Sequence, residues 1–94
     1  MAAEIRMRRT PPAGLGPMLG AARMRRGWRM REAARLLELS PSYLFDLEAG
    51  RRCPSVTVAR QLADGLGLDE TERAQLLAAT VDDAGRDHPA RHSV

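Results

Sequence analysis

The sequence predicts an all-α domain of five short helices, and three observations carry that prediction. Across residues 30–49, small and apolar side chains recur at helical spacing, at Ala33, Ala34 and Leu37 and again at Leu44 and Leu47. Gly27, Gly50 and Gly67 each follow a helical stretch, at points where helices commonly end in a left-handed residue. With one Trp, one Tyr and one Phe among 94 residues, the core must come from Leu, Ala, Met and Val. That supply suits packed helices better than a sheet. A chain of this length makes one small domain.

Each element has its own local cause. Residues 1–14 carry Arg6, Arg8, Arg9, Pro11, Pro12 and Gly14 and are expected to form a flexible basic arm. Helix 1 is expected over about 15–26, with Leu19 and Ala22 inward and Gly27 as its stop. Trp28, at an apolar position in the next connection, is assigned to the core. Helix 2 should span about 30–37 and helix 3 about 41–49, joined by a tight turn that contains Leu39. Ala34 lies where the two would cross, and a larger side chain there would push them apart. Ser40 serves as N-cap of helix 3, and Pro41 takes the first helical position, where its missing N–H costs nothing. Ser55 caps helix 4, about 56–66. Asp69-Glu70-Thr71-Glu72 forms a capping-box start for helix 5, about 70–79, with acids at the positive helix end. The division is thus an arm at 1–14, a folded domain at 15–80, and a polar, acidic tail expected to be disordered at 81–94.

Charge is polarised along the chain. All fifteen basic residues are Arg, and Lys is absent. Residues 1–35 carry +7, residues 36–60 balance at zero, and residues 61–94 carry −4, for the total of +3. The use of Arg alone also follows from a biased genome composition, but composition does not explain the polarity. A basic half of this kind suits a polyanionic partner.

Several function classes fall away. No apolar run approaches the roughly 18 residues of a membrane span, and Arg6, Arg8 and Arg9 lead into prolines instead of the apolar segment of a secretory signal. One cysteine, Cys53, cannot form an internal disulfide, which fits a reducing cytoplasm. His88 and His92 lie four apart near Asp82, Asp83 and Asp87, but Pro89 breaks the helix that this spacing would need, so no metal site is expected. No cofactor is expected either. No Ser/His/Asp or Cys/His set, phosphate loop or carboxylate pair can be assembled, so the chain is read as a non-enzyme.

The segment MREAARLLELSPSYLFDLEAG, residues 30–50, resembles the helix-turn-helix of Cro/repressor-like (Xre) DNA-binding proteins. The resemblance extends over about 15–79. It rests on Arg23, Gly27 and Ala34, on Ser40-Pro41-Ser42-Tyr43-Leu44 opening helix 3, and on Leu47-Glu48-Ala49-Gly50 followed by Arg52 and Pro54-Ser55. Leu62-Ala63 and Leu66-Gly67-Leu68 supply the following helix. The resemblance implies a compact five-helix Cro/repressor-like domain with helix 3 in the DNA major groove. It also implies a partly buried ion pair, Arg23 with Glu48, that locks helix 3 onto helix 1.

Site residues divide by role, since phosphate contacts give affinity and base-edge contacts give preference. Arg29 and Arg31 near the start of helix 2, and Arg51 and Arg52 after helix 3, are the phosphate candidates, aided by backbone N–H groups at the helix 2 start. Ser42, Tyr43, Phe45 and Asp46 are the base-edge candidates. Here the chain departs from the usual reader. It has no Gln, Asn or Arg on this face for bidentate pairing, and Met30 stands where many relatives carry Gln. Ser42 can bond a base or a phosphate, and Tyr43 can reach a phosphate or lay its ring on a thymine methyl. Phe45 offers apolar contact only, and Asp46 can accept from cytosine N4. Readout should lean on DNA shape. Two other readings stay open for Phe45: a side chain tucked against a neighbouring helix, and part of a protein-binding surface.

The function these features point to is a sequence-preferring transcriptional regulator of bacterial type, cytoplasmic, acting on double-stranded DNA and expected to pair as a homodimer. Val56, Val58, Leu66, Leu68, Leu76 and Leu77 supply apolar material for either the dimer or the core. The basic arm is either an inert terminus or a segment that orders in a minor groove. The alternative is a protein-interaction adaptor, or an antitoxin-like protein that uses the same fold for a protein partner. Some relatives carry a ligand-sensing domain after this module; this chain has no room for one, so it acts alone or is a fragment.

Overall fold

The computed structural model describes residues 10–82. The arm at residues 1–9 and the tail at 83–94, with His88 and His92, lie outside the described residues. Within the described residues five helices succeed one another: α1 Leu15–Arg25, α2 Met30–Leu37, α3 Pro41–Glu48, α4 Val56–Leu66 and α5 Glu70–Ala78. Their bounds lie within a residue of those expected from the caps. Ser40 Oγ accepts from the Tyr43 N–H at 3.1 Å, and Ser55 Oγ accepts from the Val58 N–H at 3.2 Å. Asp69 and Glu72 complete a reciprocal capping box at α5. Gly27, Gly50 and Gly67 all take the left-handed backbone that ends their helices.

Two groups of packing surfaces meet in one core. α3 packs against both α1 and α2, and α4 joins α2 to α5, which also touches α1. Leu19 and Ala22 of α1, Ala34 of α2, Leu44 and Leu47 of α3, and Leu62 of α4 are all sealed from solvent or within about one per cent of it. Trp28 packs on this core from its edge, half-buried, with the Arg26 guanidinium 4.7 Å from its ring centroid. Burial of such side chains supplies the main driving force for a domain of this size. Val58, Leu66, Leu68 and Leu76 are spent on this core, so of the six apolar candidates for pairing only Leu77 is exposed and Val56 half-buried.

The turn between α2 and α3 contains a feature that sequence patterning does not signal. Glu38 takes φ 61° and ψ 41°, and among the described residues it is the only non-glycine with positive φ. The Leu39 N–H then reaches back to the Ala34 carbonyl at 2.8 Å, and Gln61 Nε2 donates to the Leu37 carbonyl at 3.1 Å. These bonds satisfy the end of α2 and hold Glu38 in a conformation that costs an L-residue about 1–2 kcal/mol. Glu38→Gly is therefore expected to stabilise the domain by about 0.5–1 kcal/mol after the extra chain entropy of glycine is deducted. Urea unfolding of the two proteins checks this; a less stable glycine variant would mean that the turn is not strained.

The chain beyond α5 turns back to the start of α4. Val81 donates its N–H to the Pro54 carbonyl at 2.9 Å and forms a parallel bridge with Ser55. Arg25 of α1 clamps Glu72 of α5 through two bonds, at 2.8 and 3.0 Å. Arg25, and after it the Asp69 backbone N–H, hold the Glu72 carboxyl below the usual carboxylate range. A group with a lowered folded value stabilises the fold fully above its unfolded pKa of about 4.3 and loses that contribution as pH falls through the lower folded value. Glu72→Gln, which can keep the cap, is expected to melt below the parent at pH 7 and to converge with it in acid. Melting curves across that range check the sign.

Candidate nucleic-acid interface

The site is built on α3, which is held at both ends and along its inner face. Ser40 and Pro41 fix its start, and Leu44 and Leu47 bury its inner face. At its far end Arg23 donates through Nε to Glu48 Oε2 at 2.7 Å and through Nη2 to Oε1 at 3.0 Å. Arg23 Nη1 donates also to the Trp28 carbonyl at 2.9 Å. The bond to Glu48, more than its electrostatic field, raises the Arg23 guanidinium above its already high range despite partial burial. One fork of donors thus ties the end of α3, the body of α1 and the loop that leads into α2.

α1 presents glycines to this junction. Gly16 lies against the Glu48 carbonyl, so close that any Cβ would overlap it, and Gly20 lies beside the Glu48 carboxylate. Sequence reading does not single out Gly16 or Gly20, although a signal exists. Two glycines four apart inside a helix lower its propensity, and such a pair usually has a packing reason.

The outer face of α3 carries Ser42 and Phe45, both exposed, with Tyr43 and Asp46 half-buried beside them. The four base-edge candidates are thus not equally open. The Tyr43 ring packs against the core and carries the Arg52 guanidinium 4.8 Å from its centroid. The ring is half-buried between these two contacts. Phe45 is 49% exposed, and the tucked arrangement is not the one adopted. Arg51 stands over the Phe45 ring at 5.5 Å and pairs with Asp46 Oδ1 at 3.4 Å. Its backbone N–H caps the end of α3 through the Asp46 carbonyl at 2.9 Å. Arg51 and Arg52 therefore leave α3 folded back on its aromatic residues, an arrangement that their spacing in sequence does not reveal.

Arg29 and Arg31 flank the start of α2, both exposed. Arg29 is the N-cap residue in extended conformation, and no side chain caps that end. The first-turn N–H groups there carry the positive end of the helix dipole. Four arginines thus lie at two points of the helix pair along the chain, Arg29 and Arg31 at the α2 start and Arg51 and Arg52 after the α3 exit. Among the described residues no cluster of metal-ligating side chains occurs, and no helix is long and apolar enough to cross a membrane.

A closely crossed α2–α3 pair with a locked second helix defines a helix-turn-helix module of Cro/repressor-like architecture. A family model described as a helix-turn-helix domain matches residues 15–76, and the chain belongs to that family. Its fold is similar to that of the clp gene regulator ClgR from C. glutamicum, with a TM-score of 0.60 and 27% identity, over 76% of this chain and 96% of that one. It is also similar in fold to an HTH_3 family transcriptional regulator from Vibrio cholerae, with a TM-score of 0.58 and 23% identity. That likeness covers 70% of this chain and 35% of the Vibrio protein. No curated protein sequence matches the chain.

Proposed function

We propose that the chain is a sequence-preferring DNA-binding transcriptional regulator that lays α3 in the major groove. The observation that carries this reading is an α3 held by its cap and by the Arg23–Glu48 pair, with exposed arginines at the α2 start (Arg29, Arg31) and directly after α3 (Arg51, Arg52). Likeness to ClgR, a gene regulator, supports it. Arg29 and Arg31, with the uncapped N–H groups of α2, grip one stretch of phosphates, and Arg52 and Arg51 another. Two copies act on half-sites about 34 Å apart, with the exposed Leu77 of α5 available for pairing. Such a regulator works in the cytoplasm, on double-stranded DNA and without a cofactor.

A second reading has one observation in its favour, the exposed Phe45 beside Asp46. It makes the domain a protein-interaction adaptor that holds a partner on α3, whereas an antitoxin-like protein would bind both a protein partner and DNA. Fluorescence anisotropy with a random-sequence duplex at about 50 and 200 mM salt separates the two. Four phosphate contacts should weaken binding about a hundredfold between those salts. Absence of binding at the lower salt would remove the regulator reading and leave the adaptor.

A further inference from the structure

The geometry points to Phe45 as a reader of the C5-methyl group of a major-groove pyrimidine, an inference that rests on α3 entering that groove. Every hydrogen-bonding alternative on the outer face of α3 is limited. Ser42 has one hydroxyl, which lies 3.5 Å from that of Ser40. Asp46 has its carboxylate turned to Arg51. Tyr43 has its ring between the core and Arg52. The large apolar side chain exposed on this face is the Phe45 ring, about half of it in water.

The major-groove edges of the bases offer one apolar group, the methyl at C5 of thymine. An aromatic side chain gains nothing from the bare donors and acceptors of the other edges, since it would cover them without pairing them. Phe45 therefore favours the base position that carries a methyl, and 5-methylcytosine presents the same group at the same place. Arg51 makes the approach feasible. It stands over the Phe45 ring and neutralises Asp46, which would otherwise bring a carboxylate toward the phosphates. Asp46 and Arg51 act here as positioning residues, and Phe45 makes the contact.

The test uses the full chain and a duplex selected from a random pool. Replacing each thymine in turn by deoxyuridine removes only a methyl. Affinity should fall about fourfold at the thymine that meets Phe45, the equivalent of one buried methyl, and remain level elsewhere. In Phe45→Ala the same replacement should have no effect, and a cooperative thermal melt of the variant shows that the loss is not one of folding. A third arm places cytosine or 5-methylcytosine, opposite guanine, at that position. Tighter binding of the methylated base extends the contact to both methylpyrimidines, and equal binding of the two overturns the shared-methyl chemistry.

If random duplex binds but no thymine-to-deoxyuridine change matters, methyl reading is wrong and the DNA-binding reading stands. If no duplex binds at about 50 mM salt, both fall together, and Phe45 becomes the centre of a protein-binding surface.

Discussion

Glu48→Ala is expected to cost the domain about 3 kcal/mol, the low end of the penalty for removing one member of a buried ion pair. For a domain of this length, that corresponds to a drop of more than about 10 °C in melting temperature. The reason lies in how little solvent reaches the pair: the side chains of Arg23 and Glu48 are only 17% and 11% exposed. Without the carboxylate, the guanidinium keeps its bond to the Trp28 carbonyl and loses both charge-assisted bonds to α3. The cation left behind keeps only that narrow opening to solvent, and gaining more by moving α1 or α3 opens the contact at Gly16. Arg25→Ala is the internal comparison. Its pair with Glu72 also has two bonds, but the Arg25 side chain is half exposed, so its loss should cost well under that amount. Glu48→Gln should fall between parent and alanine variant, since it keeps the shape and one acceptor. Urea unfolding of these variants settles the ranking, and an unchanged midpoint for Glu48→Ala would remove the pair from the forces that hold α3.

The helices were readable from the sequence because their ends are written in local chemistry. Ser40, Ser55 and Asp69 are caps whose oxygens need only the next turn to act, and left-handed Gly27, Gly50 and Gly67 need no tertiary partner. The interior was readable for the same reason, since the period of Ala33, Ala34 and Leu37 already defines a face. Glu38 shows where this ends. Nothing in a glutamate signals positive φ, which here arises from bonds made around it by Ala34, Leu37, Leu39 and Gln61. The outer face of α3 was legible as a set of side chains but not as a surface. Each ring carries one of the two arginines, and Phe45 stays more open than Tyr43 because only Tyr43 packs against the core, which is decided in three dimensions.

Gly16→Val is expected to be at least as damaging as the loss of the ion pair, about 3 kcal/mol or more, for a steric cause. Gly16 of α1 is buried against the end of α3. A Cβ there would overlap the Glu48 carbonyl oxygen, approach the Glu48 carbonyl carbon to 2.9 Å and the Gly50 nitrogen to 3.3 Å. All three are backbone atoms, so no rotamer change can relieve the contact, and valine adds two methyl groups to it. The better helix propensity of a side-chain-bearing residue returns at most about 0.5 kcal/mol for valine over glycine. The helices must therefore separate, and separation also pulls Glu48 from Arg23. Gly20→Ala makes the contrast, because its Cβ would meet only the Glu48 carboxylate, at 3.2 Å, on a side chain that can shift. Its propensity gain of about 1 kcal/mol and the disturbed bond act in opposite directions, so a change within about 1 kcal/mol is expected. Thermal melts of the two variants distinguish a backbone-limited contact from a side-chain one, and a Gly16→Val protein as stable as the parent would mean that α1 and α3 do not approach as closely as this fold requires.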